Sequence, residues 1–238
     1  MNTKSKKPLP RWLPLVVGFF IVVQFTGLGV WQLTKGIDKR AERNAFHDES
    51  SFSLWQDGRE VRSFQQLKVD GRYDAEHQFV LENIIVDESR YGYNIITPMI
   101  VAADAPLLLV NRGWVPKESG DLDAGLFALP DEIVTVRGRA GWLPRAGYKM
   151  GAAINPSSDW PKYAVYPSAE EIEQALGRKV QPFVLLLDPD DANGFFRHWV
   201  PPGLSPAKHF GYALQWFAMA AVLSFLLALN YRKKRFDS

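Results

Sequence analysis

The chemistry open to this chain is narrowed first by a side chain it lacks. Among its 238 residues there is no cysteine, so disulfides, thiolate metal sites and dithiol redox pairs are all excluded. No G-x-S-x-G elbow, H-E-x-x-H zinc helix, Walker A loop or G-x-G-x-x-G turn occurs, and catalysis is not indicated. Four histidines remain: His47, His77, His198 and His209. His47 and His77 lie in polar runs and read as surface residues. His209 instead opens an apolar run, in Lys208-His209-Phe210-Gly211-Tyr212-Ala213-Leu214-Gln215-Trp216. At 3.6 residues per turn, His209, Tyr212, Ala213, Trp216 and Ala220 fall in one stripe. Two readings are open. These are interfacial and packing residues whose alanines admit a neighbouring helix, or the neutral imidazole offers an axial nitrogen to a haem iron, with rings and small side chains taking the macrocycle.

A second polar group stands near the other terminus, in Gly27-Leu28-Gly29-Val30-Trp31-Gln32-Leu33-Thr34-Lys35. Its glycines permit close helix contact, and antiparallel helices would bring Trp31 and Gln32 to the depth of His209. A third candidate is Arg112, in Leu108-Leu109-Val110-Asn111-Arg112-Gly113-Trp114-Val115-Pro116. The two-residue strand period puts Arg112 and Trp114 on one side. Arg112 is either a structural strand-end arginine or a bidentate carboxylate contact.

The elements that must carry these residues follow from hydropathy. No residue is charged from Trp12 to Thr34 or from Phe210 to Tyr231. Each stretch, as a helix, extends roughly 33 Å, enough for a bilayer core of about 30 Å. Trp12, Trp31 and Tyr231 mark the ends, as interfacial aromatics do. Lys4, Lys6, Lys7 and Arg11 precede the first span, and Arg232, Lys233, Lys234 and Arg235 follow the second, while the region between carries an acidic excess. Both termini are therefore expected to be cytoplasmic. The basic balance of the whole chain is a topology signal, and no nucleic-acid partner is implied.

Between the spans, Val, Ile, Tyr and Phe-rich stretches recur at Phe64 to Tyr73, His77 to Glu82, Tyr91 to Val101, Leu107 to Val115, Ile133 to Trp142 and Val180 to Leu187. Gly, Pro and Asp punctuate them, which reads as antiparallel strands. One helix interrupts the series, with Ser168 and Glu171 as a capping box and Gly177 as its stop. A helical continuation of the first span covers Ile37 to Phe46. The expectation is an α+β membrane protein: two transmembrane helices flanking an extracytoplasmic antiparallel β-barrel or sandwich with one packed helix. Its parts are a tail at 1–11, a helix at 12–34, a periplasmic β-rich domain at 35–209, a helix at 210–231 and a tail at 232–238.

In this order the segments resemble the Surfeit locus protein one family of cytochrome c oxidase assembly factors. The resemblance rests on Leu28-Gly29-Val30-Trp31-Gln32, Gly92-Tyr93-Asn94-Ile95-Ile96-Thr97-Pro98, Val110-Asn111-Arg112-Gly113-Trp114-Val115-Pro116, Val136-Arg137-Gly138-Arg139 and His209-Phe210-Gly211-Tyr212-Ala213-Leu214-Gln215-Trp216-Phe217. It runs from the first span to the second. Two departures stand out: Lys35 occupies a place where the family commonly has arginine, and the stretches Asp121 to Leu129 and Gly147 to Tyr166 match loosely.

The resemblance implies a non-enzymatic role in a bacterial inner membrane, holding haem a and assisting its insertion into the catalytic subunit of the oxidase. It also implies haem A synthase and membrane lipid as partners. His209 would be the iron's axial ligand, Tyr212, Trp216, Trp31 and Gln32 would flank the ring, and Arg112, Arg197 or Lys208 would meet the propionates. The alternatives are a scaffold that holds oxidase subunits without a cofactor, a sensor, for which the tails are too short, and a zinc or copper carrier using His198 and His209. Against the last, the proline-rich lead from Pro201 to Pro206 does not preset a geometry.

Overall fold

The computed structural model describes residues 10, 12–47, 51–86, 90–117, 122, 124–144, 151–154, 158–201 and 203–236. The N-terminal basic residues Lys4, Lys6, Lys7 and Arg11 lie outside them, as do parts of both loosely matching stretches. The chain divides into two units, a helical one from its two ends and a β-rich one over residues 45–200.

The helical unit pairs α1 (Leu13–His47) with α3 (Pro206–Phe236). Both are long and apolar enough to cross a membrane. Thr34 ends the uncharged stretch but not the helix: α1 runs on through good helix formers such as Lys39, Arg40, Ala41 and Glu42, with Lys39 and Glu42 ion-paired one turn apart. The buried or half-buried positions of α1 include Gly18, Val22, Phe25, Gly29, Gln32 and Gly36, and those of α3 include His209, Ala213, Trp216, Ala220, Leu223 and Leu227. Alternating steps of three and four make each set a coiled-coil seam.

The seam is close because glycine lines it. A Cβ placed on Gly18 would stand 2.7 Å from Leu227, one on Gly29 2.7 Å from Phe217, and one on Gly36 2.5 Å from Phe210. The pairing of low numbers with high fixes the helices as antiparallel. Gly27 has no neighbour within 4 Å, so of the two glycines read as contact residues only Gly29 serves.

The β-rich unit holds β1 (Ser53–Leu54), β2 (Gln66–Tyr73), β3 (Phe79–Val86), β4 (Arg90–Ile100), β5 (Leu107–Pro116), β6 (Val134–Gly141), β7 (Lys162–Ala164) and β8 (Val180–Leu187), with α2 (Ala169–Leu176) before β8. Ladder pairing joins β2 to β6, β6 to β8, β8 to β5 and β5 to β4, and β4 returns to β2 through Arg72 opposite Ile100 and Tyr73 opposite Met99. Five strands thus close a ring whose chain order is the Greek key of the OB-type barrel. β3 and β7 extend β4 outward.

The expected closure is present, but the expected strand direction needs correction. β1 with β2, β3 with β7 and β5 with β8 pair in parallel. Alternation within a strand reports which face is buried and carries no information about a partner's direction. The short β1 and β7 gave no pattern at all.

The barrel interior is filled at period two by Leu67, Val69 and Tyr73 of β2, Met99 of β4, Leu108 and Val110 of β5, Val136 and Ala140 of β6, and Phe183, Leu185 and Leu187 of β8. A second cluster lies on the outer face, where Leu107 and Leu109 meet Phe79, Val184 and Ile172 of α2. Burial on both faces explains why β5 opens on an unbroken apolar run, Leu107 to Val110. α2 has the capping box read from its sequence: the Glu171 amide donates to Ser168 Oγ, the Ser168 amide donates to the Glu171 carboxylate, and Gly177 turns left-handed at φ 65°.

Candidate functional site

The centre of the helical unit is a contact between its two seams. His209 Nδ1 lies 2.8 Å from Oε1 of Gln32. A carbonyl oxygen only accepts, so Nδ1 is the donor, and in the neutral ring Nε2 then carries the lone pair. This is how metal-binding histidines are commonly oriented, with one ring nitrogen held by a hydrogen bond and the other directed to the metal. From this pair toward the middle of the two helices, Phe25 and Trp216 meet with ring centroids 5.4 Å apart. Beyond them a groove of about 470 Å³ is lined by Ile21, Phe25, Ala218, Met219, Val222 and Leu226, among others, with almost no polar surface.

On the opposite side of the pair, Phe210 lies against Gly36, and the Arg40 guanidinium lies 5.2 Å from the centroid of the same ring. The sequence reading passed over both residues. Their signal was the row Gln32, Gly36, Arg40 at four-residue spacing, with glycine where a ring must lie flat.

The predicted residues separate into two groups. His209, Gln32 and Trp216 share the seam. Tyr212 is 44% exposed and Trp31 53% exposed, on flanks that point away from the partner helix. The one-stripe reading placed Tyr212 beside His209; three residues advance a helix by about 300°, so it turns off the line kept by Ala213 and Trp216.

Arg112 belongs to the β-rich unit and is 3% exposed. Its Nε donates to the carbonyl of Asn193 at 2.7 Å, its Nη1 donates to Gln78 Oε1 at 3.1 Å, and its plane covers the ring of Phe195 at 4.8 Å. Gln78 is the hub: its Oε1 also accepts from Thr97 Oγ1 at 2.8 Å, and its Nε2 donates to the carbonyls of Ala75 and Phe127. Burial without a carboxylate disfavours the charge on Arg112 and lowers its pKa to about 10. It remains a cation at neutral pH. Burial likewise pushes the Tyr73 phenol well above its ordinary value, so this group stays neutral.

Arg112 and Trp114 are not side by side. The pairing of β4 with β5 slips between Asn94 and Ile96, leaving Arg112 and Gly113 opposite one residue. Gly113 at φ 115° takes the bulge, a conformation that glycine alone adopts readily. Trp114 therefore turns onto Gly92, where any Cβ would collide with the indole. Gly138 similarly makes room for the Leu186 carbonyl. Two motif glycines, in the Gly92 and Gly138 segments, are thus sites of close strand approach.

Arg197, His198 and His77 have local partners. Arg197 donates to the carbonyls of Asp191 and Pro189, both at 2.8 Å. His198 stacks on Phe196 with centroids 6.3 Å apart. His77 is held at 2.9 Å by the Asp74 carboxylate. Among the described residues no group of three His, Asp or Glu is placed to hold a metal ion.

Fold and site together define a class: a protein with two helices capable of crossing a membrane, a Greek-key barrel between them in the chain, and a glutamine-oriented histidine on the helical pair. The chain belongs to the SURF1 family, whose model matches residues 19–221, from within α1 to within α3. That family is associated with cytochrome c oxidase assembly. No curated protein matches the chain.

Proposed function

We propose that this protein holds haem a on His209 and assists its insertion into the catalytic subunit of a haem-copper cytochrome c oxidase, receiving it from haem A synthase. The observation that carries the reading is the hydrogen bond from His209 Nδ1 to Gln32 Oε1, which leaves Nε2 as the ring nitrogen for a metal. Haem, when bound, would supply an iron for that nitrogen to ligate. The chain's own residues do the rest: Gln32 fixes the tautomer, Trp216 and Phe25 offer ring faces, and Tyr212 and Trp31 flank the opening from lipid. The apolar groove beyond Phe25 suits the isoprenoid tail. In this reading the protein performs no reaction.

Membrane insertion is part of the proposal, with the chain in a bacterial inner membrane, both termini in the cytoplasm and the barrel in the periplasm. The uncharged stretches of α1 and α3 and the basic residues outside them support it. Arg112 enters the proposal as a barrel residue, since its contacts within that unit already satisfy two of its donors.

The test is an absorption spectrum of the full chain purified from cells that make haem A, beside His209→Ala. A haem band in the first and none in the second is expected. A haem-free wild type leaves the barrel as a scaffold for oxidase subunits; haem retained by His209→Ala moves the ligand elsewhere.

A further inference from the structure

Resting on the haem reading above, we infer that Arg40 is the residue that recognises the carboxylate edge of the bound ring. Gln32, Gly36 and Arg40 form one row along α1, four residues apart, so Arg40 stands about 12 Å beyond Gln32 along the helix axis and about 80° around it. Phe210, next in the chain to His209, packs against Gly36 with the Arg40 guanidinium against its ring. The ring positions the guanidinium through its π face, and the planar N–H fork of an arginine suits a carboxylate.

The order along the helical pair is then apolar groove, imidazole, guanidinium. Haem a has the matching order, an isoprenoid substituent, the iron and a pair of propionates at one edge. Competing cations are less suited. Lys39 is paired with Glu42, Arg197 is bound by two carbonyls and Arg112 is buried. Lys208, in the first turn of α3, is a point charge without a fork. Planar bidentate recognition of a carboxylate is a property of arginine.

The same fork would also suit a lipid phosphate, so the test separates the two. Haem a and its dimethyl ester are titrated into the full chain in neutral detergent, for wild type, Arg40→Gln and Arg40→Lys, followed by the absorption of the bound form. Wild type is expected to prefer the free acid about tenfold, Arg40→Gln to bind both forms alike, and Arg40→Lys to recover part of the preference. Arg40→Gln is an exposed change on a helix surface, and a retained band for the ester shows that its site is intact.

An unaltered preference for the acid in Arg40→Gln overturns the inference while leaving His209 as ligand. So does a variant whose only defect is weaker partition into vesicles containing anionic lipid, which assigns the guanidinium to a headgroup. Failure of the wild type to bind either haem removes the underlying reading as well.

Discussion

His209 and Gln32 are 177 positions apart in the chain, yet Nδ1 of the one stands 2.8 Å from Oε1 of the other. The contact joins the inner seams of the two helices at a glycine-lined crossing, between Gly29 and Gly36. Replacing Gln32 by Leu removes the acceptor that fixes the tautomer while keeping bulk. Haem affinity is expected to fall about 10- to 100-fold, read by titration against the absorption of the bound form. Gln32→Glu keeps an acceptor and is expected to hold wild-type affinity or better. Equal affinity for Leu and Gln at this position would show that the contact only packs the helices.

The close approach that makes this contact depends on Gly29. Gly29→Ile drives a side chain into Phe217, and a loss of about 1–3 kcal/mol is expected. Phe217→Ala in the same chain is expected to restore part of it. The measurement is a double-mutant cycle on thermal midpoints in detergent; strictly additive effects would contradict direct contact.

In the barrel, Gln78→Leu is expected to cost about 3 kcal/mol or more, because it strands a buried guanidinium, a hydroxyl and two carbonyls together. Tyr73→Phe predicts the reverse. The Tyr73 hydroxyl is buried and has no hydrogen-bond partner among the described residues, so its removal is expected to be neutral or to stabilise by up to about 1 kcal/mol. Denaturant unfolding of both variants decides the pair, and a large loss for Tyr73→Phe would reveal a partner for the phenol.

The acid limb of stability has a local source beside α2. Glu173 accepts from Lys179 Nζ at 2.6 Å and from the Val180 amide at 3.1 Å, and these bonds hold its carboxyl below the ordinary value of 4.5. A depressed carboxyl stabilises the fold above its unfolded value and loses that contribution as pH falls through the folded one. Glu173→Gln is therefore expected to melt below wild type at neutral pH, with the gap closing as pH drops from 4.5. Melting curves across that range check it; a gap independent of pH would place the loss in packing.

Much of the architecture was legible without coordinates. The two helices with long uncharged stretches, six strands, and α2 with both of its caps follow from local rules: hydropathy, period two, and the hydrogen-bonding needs of a helix end. Strand direction and the parallel closure of β5 on β8 were not legible, since a strand's side-chain pattern is the same whichever way its neighbour runs. The joint placement of Arg112 and Trp114 failed because one bulged glycine resets the alternation.

The helical ends with their histidine, glutamine and aromatic residues were visible as a set of types at matching depth. Which of them meet was a question of helix rotation, answered only once glycines, rings and alanines packed into one another. That packing turns His209 and Gln32 inward, leaves Tyr212 and Trp31 on the flanks, and sets Arg40 on the ring of Phe210. A helix one residue long in register error would rotate by about 100° and undo all three. Composition and periodicity thus settle the two long helices, α2 and six of the strands, because those depend on neighbours in the chain. The site depends on contacts between residues far apart in sequence, and only the fitting of large side chains onto glycine decides them.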